Sequence, residues 1–476
     1  MKKRFFRNKS IFIYILSFLS SFIGIFLNFF LARILGASSY GRLQFLVAFA
    51  TTCSQFMIFG LNTFMIREAK NKKHNGELFN KCLSIYLVII TFVTPIIFYL
   101  LNNYTDYTIS NAFLSITVVF VAILIGINSL ISAFFQGNGK YHLTILLENL
   151  IPKSVLLLLS ILFLITGSIN VLPNFYLPLY VLIYSFVSIP LLFKYFKNIN
   201  FSISREDFLS ITFFFGVTVT YSLGNNLTKV LQGGLYRNDV ALAIISVSLS
   251  IVSLIRVFTS VLDNMIKPIF AEQKRNNQIE EMLETYRFDT RMNSYVSIPL
   301  YLFFILFPKN FLIIFGPSYT VYANILIIIS VANAVSDITG PNGTMLAMTG
   351  KEKWELFNGL LYFGVYIAGI FIFSFDKIYG LCYSLLLAQI VVNIAKYVEI
   401  WLIYKTMPLN LKSVITLLFV IAINFAVIFL YKYASLNIYL WFLIGIFIGM
   451  NLVVLNCFGL SLYRKTDFKK LLSITL

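Results

Sequence analysis

Two uninterrupted apolar runs, Ile11 to Leu31 and Leu43 to Ile66, flank the short break ARILGASSYGR and are followed at once by Arg67 and Glu68. No other feature of the chain restricts its fold as much. A helix rising about 1.5 Å per residue needs about 20 apolar residues to cross about 30 Å of hydrocarbon. Both runs meet that length, and the break, with Gly36, Ser38, Ser39 and Gly41, reads as a tight turn between two spans. Lipid offers no partners to backbone groups, so only helices and closed barrels cross it. Runs this long and this uniformly apolar are not barrel strands.

The unit recurs along the chain. Apolar periodicity gives fourteen candidate spans: 11–33, 43–66, 82–101, 111–135, 143–165, 171–193, 208–235, 240–266, 294–315, 323–348, 355–375, 380–404, 411–431 and 438–460. The expected fold is therefore all-α, a polytopic membrane protein of about 14 transmembrane helices. Charged residues make up 12% of the chain, about half the share of a soluble protein. Connections are short, and the longest, 267–293, reads as a polar helix outside the bilayer. The first apolar run, about 20 residues, exceeds the 7–15 of a cleaved signal.

A net charge of +18 raises the question of nucleic acid. The placement of the charges excludes it, because Lys and Arg gather in loops beside apolar runs. With the N-terminus inside, the inner segments hold Lys2 to Lys9, Arg67 to Lys81, Lys140, Lys194 to Arg205, Lys267 to Arg291, Lys351, Lys353, Lys405, Lys412 and Arg464 to Lys470. The outer segments hold only Arg33, Arg42, Arg237, Lys309, Lys377 and Lys432. This asymmetry, more than about four to one, places both termini in the cytoplasm.

Internal similarity is visible too. GLNTFMIREAK after the second span aligns with VLDNMIKPIFAE after the eighth, and QGNGKYH after the fourth with MTGKEKW after the tenth. The two offsets, about 200 and about 211 residues, pair the same spans in order. The expectation is two parallel six-helix halves, 1–193 and 194–404, followed by two extra helices and a cytoplasmic tail in 405–476.

Four basic residues sit inside spans: Lys153, Lys229, Arg256 and Lys396. Each costs about 2.5–3.5 kcal/mol at a helix centre, so each needs a reason. Lys396, two turns from the cytoplasm with Glu399 at i+3, reads as a snorkelling or paired lysine. Lys153 and Arg256 lie near mid-depth. In span seven Asn225, Asn226, Lys229 and Gln232 share one face, and in span eight so do Ser246, Ser250, Ser253, Arg256, Ser260 and Asp263. Such stripes face water or glue helices together; those bearing Lys229 and Arg256 point to a wet cavity. Asp337, before Gly340-Pro341 where the helix should kink, is the best proton or sodium site, and Asp263, two turns after Arg256 near the cytoplasmic end, is a second candidate. The four cysteines show no CxxC spacing and the two histidines, His74 and His142, have no partners, so no metal site is expected. No phosphate loop, nucleophile elbow or large extramembrane domain is present, so no catalytic residues are expected either.

The segment with Arg33, Leu35, Gly36, Tyr40 and Gly41, then Gln136 to Lys140 and Leu346 to Lys351, resembles the Wzx-type oligosaccharide flippases of the multidrug/oligosaccharidyl-lipid/polysaccharide superfamily. The chain departs from them at Val240-Ala241-Leu242-Ala243, where that family keeps a Gly-x-Tyr run. The resemblance implies transport of an undecaprenyl-diphosphate-linked oligosaccharide from the cytoplasmic to the outer leaflet of the bacterial inner membrane. It implies a non-enzyme working by alternating access through a cationic central cavity. Arg33, Lys153, Asn225, Asn226, Lys229, Gln232 and Arg256 are then the substrate-binding candidates. Asp337 and Asp263 would couple H+ or Na+, with no other cofactor. The implied partners are the lipid-linked oligosaccharide, membrane lipids, a polysaccharide polymerase and chain-length proteins. A multidrug or cation antiporter of the same superfamily, and a non-transporting member of a glycan-assembly complex, remain open alternatives.

Overall fold

Glycines at positive φ decide several of the helix breaks, while Pro95, Pro178, Pro190 and Pro299 lie inside continuous helices. The computed structural model describes residues 2–69, 75–104, 112–168, 172–405, 411–431 and 438–456, and among them helices are joined by turns with no strand. Packing divides the chain into two compact units, 1–247 and 248–476.

The first unit contains α1 (Lys2–Ile58), α2 (Leu61–Ala69), α3 (Asn75–Tyr104), α4 (Ala112–Gly137), α5 (Tyr141–Ile145), a π-turn at Leu146–Leu150, α6 (Ile151–Ile165), α7 (Leu172–Tyr195) and α8 (Arg205–Gly234). The expected turn at ARILGASSYGR contracts to one residue. Gly36 alone leaves helical geometry, at φ 73° and ψ 168°, and the helix resumes directly after it. Gly41 serves a different purpose: a Cβ there would lie 2.1 Å from the Asp239 carbonyl oxygen, and beside it Arg42 Nε donates to Asp239 Oδ2 at 2.9 Å. The second span is not continuous to Ile66. It breaks at Phe59 and Gly60, both at positive φ, because a Cβ on Gly60 would stand 2.4 Å from the Phe215 backbone nitrogen. The close approach of α8 needs a glycine in that conformation.

The core of this unit joins Phe45, Phe79, Tyr86, Val118 and Ile131, with Cys53 and Cys82 as buried free thiols. Tyr86 donates to the Ile123 carbonyl at 2.7 Å, and its hydroxyl lies 2.1 Å from where a Cβ on Gly126 would sit. Small residues admit such close packing in an apolar solvent that supplies no hydrophobic drive between helices.

The helix α9 (Asp239–Arg275) leads from the first unit into the second, which contains α10 (Ile279–Leu306), α11 (Pro308–Leu312), a 3-10 turn at Pro317–Thr320, α12 (Asn324–Thr339), α13 (Asn342–Met348), α14 (Glu352–Ile372), α15 (Gly380–Tyr404), α16 (Leu411–Tyr431) and α17 (Ile438–Val454). The polar segment 267–293 is not a separate helix. α9 runs on to Arg275, the chain turns at Asn277 (φ 56°), and α10 begins at Ile279 and continues into the ninth span. Its apolar residues Met282, Leu283 and Tyr286 pack with Ile266, Phe270, Met345, Leu346 and Ile400, which is what draws this charged stretch into the fold.

The kink expected at Gly340-Pro341 is present: α12 and α13 meet at 46°. Gly340 has φ 88°, a Cβ there would lie 2.1 Å from Thr290 Oγ1, and the Tyr286 hydroxyl is 2.6 Å from Asn342 Oδ1 and also reaches the Thr339 carbonyl. Among the described residues nine helical segments are long and apolar enough to cross a membrane, ten with α12 and α13 taken as one broken span. The first, Ile15–Ile58, is 44 residues and includes the Gly36 break, so it has length for two crossings. α10 is not among them because its first half, Ile279 to Asn293, is polar.

Candidate functional site

In the first unit the candidate site is built around Lys153. Its side chain lies along α1 at Gly24, where a Cβ would stand 3.1 Å from Cδ, 3.2 Å from Nζ and 3.3 Å from Cε. The ammonium donates to Asn149 Oδ1 at 3.0 Å, a neutral partner one turn back, and no carboxylate pairs with it among the described residues. A lysine in an apolar span with only an amide for company retains most of its capacity for an anion.

Asn149 and Glu148 stand on the π-turn, and the sequence accounts for that turn. The Ile151 N–H bonds the Leu146 carbonyl, five residues back. In the same register the next residue would serve Leu147, but it is Pro152 and has no N–H. The Asn128 side chain, buried on α4, supplies the missing donor to the Leu147 carbonyl at 3.1 Å. Thr144 Oγ1 donates to the Ser132 carbonyl at 3.1 Å and ties the preceding turn to α4. An inserted residue of this kind re-aims side chains, which is why π-turns gather at functional sites.

Sequence reasoning missed the aromatic wall of this site. Tyr176, Tyr180 and Tyr184 form a ladder along α7 with ring centroids 5.4 and 5.5 Å apart. Glu148 is within electrostatic reach of Tyr184, and Tyr40 of Tyr176. Tyr40, fully buried, and Gln44 both donate to Asn28 Oδ1 at 3.4 Å. The i, i+4 spacing of the three tyrosines was the readable signal. Tyr176 and Tyr184 are buried and Tyr180 is half-buried, so the ladder presents an apolar ring and a hydroxyl, the chemistry that sugar rings use, chiefly at Tyr180.

Of the span-seven stripe, Asn226 and Lys229 are half-buried and Gln232 is fully buried. Gly233, next to it, lies under the Phe45 ring of α1, so α1 packs against α6 near Gly24 and against α8 near Phe45. Arg33 is exposed on α1. The side chains of Asn225 and Asp263 lie outside the described residues.

In the second unit Arg256 is exposed on α9, within electrostatic reach of the Tyr301 and Tyr362 hydroxyls. Tyr301 donates to Asp337 Oδ2 at 2.9 Å. Arg256 and Asp337, read from separate spans, thus share one tyrosine. Lys396 is paired, as expected: it donates to Glu355 at 2.8 Å, with Glu399 within electrostatic reach.

The fold is shared with known transporters. The structure aligns with the lipid II flippase MurJ in an inward closed conformation at a TM-score of 0.73 and 14% identity, over 96% of this chain and 99% of that one. It aligns with an inward-facing multidrug resistance MATE family transporter of the MOP superfamily at 0.62 and 13%, over 82% and 94%. A MOP superfamily transporter from Pyrococcus furiosus aligns at 0.55 and 14%, over 85% and 97%. No curated protein matches the chain in sequence. The family model described as polysaccharide biosynthesis protein matches residues 30–324, more than half of the sequence, and the chain belongs to that family.

Proposed function

We propose that this multi-pass membrane protein flips a polyprenyl-diphosphate-linked oligosaccharide, with undecaprenol as the lipid, from the cytoplasmic to the outer leaflet of a bacterial inner membrane. The observation that carries this reading is Lys153, a cation held inside a span by a glycine notch and a neutral amide. A diphosphate would supply the missing anion. At about 4 Å and an effective dielectric near 20, one such charge pair is worth about 4 kcal/mol. That is enough to offset the cost of keeping a lysine there. Arg256 in the second unit, and Arg33, Lys229, Asn225, Asn226 and Gln232 in the first, are the further candidate contacts read from the sequence. The tyrosine ladder suits the sugars, while the lipid tail stays in the bilayer.

Movement proceeds by alternating access, with 1–193 and 194–404 as repeated lobes and 405–476 as an accessory pair of helices. Both termini are cytoplasmic by the distribution of Lys and Arg. Asp337 and Asp263 are the positions for a coupling H+ or Na+. The MurJ and MATE likenesses and the family membership support a transporter over an enzyme. A polysaccharide polymerase and chain-length proteins are the fitting partners downstream.

The test is a leaflet assay. Purified protein enters liposomes with a lipid-diphosphate oligosaccharide, and an external glycosidase scores the sugars that become accessible. Protein-dependent exposure that Lys153→Ala and Arg256→Ala abolish, with normal insertion of both variants, supports the reading. Normal exposure in both variants overturns the cationic site. No exposure, together with gradient-driven efflux of a cationic dye, replaces the flippase with an antiporter.

A further inference from the structure

We infer that the Glu355–Lys396–Glu399 group, on α14 and α15, is a binding site for a single proton, separate from Asp337. Glu355, Asn358 and Glu399 are each more than nine-tenths buried, at 7%, 0% and 4% exposure. Lys396 Nζ donates to Glu355 Oε1 at 2.8 Å, and Asn358 Nδ2 donates to Glu399 Oε2 at 2.6 Å. Gly343 of α13 closes the group: a Cβ there would lie 2.6 Å from Glu355 Oε1 and 3.0 Å from Lys396 Nζ. The glycine lets α13 seal the ion pair from above, and any side chain would open it.

Two independent facts point to a ligand. The first is charge. Two carboxylates and one ammonium leave one negative charge over in a buried place, and an uncompensated buried charge is far more costly than a paired one. The second is hydrogen-bond supply. Glu355 Oε2 and Asn358 Oδ1 are both buried and have no partner. They stand one turn apart on the same face of α14, and both are acceptors. A single proton answers both deficits. Shared by the two carboxylates, it removes the excess charge and brings a donor to a group that has only acceptors left over, while Lys396 compensates the remaining negative charge. The proton belongs to the pair of carboxylates as a unit. A metal cation fits less well, because Lys396 already occupies one face of Glu355 and would repel it.

Among the described residues the surrounding charges are engaged elsewhere or lie at the surface. α13 brings no titratable side chain and α12 brings Asp337, already bonded by Tyr301; α14 adds the exposed Lys353, with Lys351 at its cap, and α15 adds Tyr397, which lies towards Tyr286. α10, packed against α13 and α15, brings Arg287 and Arg291, both paired with Glu284, and Lys274 of α9 lies over the Tyr404 ring. Thr339 of α12 meets α15 through the neutral Asn393.

The test reads the proton directly and needs no transport substrate, so its failure is separable from failure of the flippase reading. Purified detergent-solubilised protein is titrated by infrared difference spectroscopy, following the carbonyl band of protonated carboxyl groups. The expected result is one component of the buried carboxylic acid band at neutral pH, read as a difference from wild type because Glu148 and Asp289 are other secluded acids, lost in Glu355→Gln and in Glu399→Gln and retained in Asp337→Asn. Lys396→Met keeps this component and extends it to higher pH, because the ammonium that favours ionisation is gone. A spectrum that matches wild type in both glutamine variants overturns the proposal, as does a component that Lys396→Met leaves unchanged. Loss of the band on adding Na+ at constant pH overturns the proton in favour of a metal cation.

Discussion

Asn128 donates its side-chain amide to the Leu147 carbonyl, the group that Pro152 leaves without a donor in the π register. The bond is a replacement for a backbone bond, and that gives it a specific genetic signature. Asn128→Ala strands a half-buried carbonyl and costs about 1 kcal/mol, read as a lowered Tm in detergent. It also frees the turn that carries Asn149, so lipid-linked oligosaccharide movement falls with it. Adding Pro152→Ala returns a backbone N–H to the place where the amide stood. The double variant recovers Tm relative to Asn128→Ala alone. Equal or greater loss in the double variant contradicts this account of the turn.

Gly24 makes a second prediction. A methyl group there would meet the Lys153 stem at 3.1–3.3 Å, tight but at the far end of a flexible chain. Gly24→Ala is therefore tolerated with a small shift of the lysine. Gly24→Val is not, because its branches fill the groove in which the stem lies. Its flipping activity falls to that of Lys153→Ala, and the double variant falls no further, since both changes remove the same contact. Additive losses in the leaflet assay would show that Gly24 acts elsewhere.

The spans, the intramembrane cations and the Gly340-Pro341 kink were legible because lipid makes a run of about 20 apolar residues unmistakable and any charge within it conspicuous. The single-residue break at Gly36 was misread as a turn because glycine and serine signal both. The break at Gly60 left no local sign beyond one glycine, since its cause is the backbone of Phe215, far along the chain. Lys396 shows the same limit: the i+3 spacing nominated Glu399, which lies within its electrostatic reach, but could not show the tertiary ion pair with Glu355. The tyrosine ladder was visible in spacing but silent in meaning, because aromatic residues in an apolar helix are as often packing as recognition.

Asp337 has two separable properties, a charge and a bond from Tyr301 at 2.9 Å. Asp337→Asn keeps an acceptor for the tyrosine and removes the charge. Asp337→Leu removes both. A coupling role requires that Asp337→Asn folds with an unchanged Tm and loses the stimulation of flipping by an imposed H+ or Na+ gradient. A purely structural role requires the opposite: stimulation intact in Asp337→Asn and a lowered Tm only in Asp337→Leu. Gradient-driven rates and Tm measured on the same preparations decide between them.

The last prediction concerns pH and a group outside the spans. Asp207 opens α8 just before the 208–235 span. It is the N3 member of a capping box, in which its N–H donates to Ser204 Oγ at 3.1 Å. It also forms an ion pair with Lys81 of α3. Burial opposes the carboxylate charge, but the Lys81 ammonium and the Ser204 hydroxyl and N–H outweigh it and hold the Asp207 carboxyl below its ordinary range. A carboxyl depressed in the folded state contributes stability at pH values above its unfolded pKa, about 3.9, and loses it as pH falls through the folded value. Asp207→Asn keeps part of the cap and removes the ion pair. Wild type is therefore more heat-stable than Asp207→Asn from about pH 5 upwards, and the two Tm values converge in acid below about pH 4. Lys81→Met gives the same pattern, because it removes the same pair from the other side. A Tm gap that stays constant from neutral pH into acid would show that Asp207 acts through the cap alone.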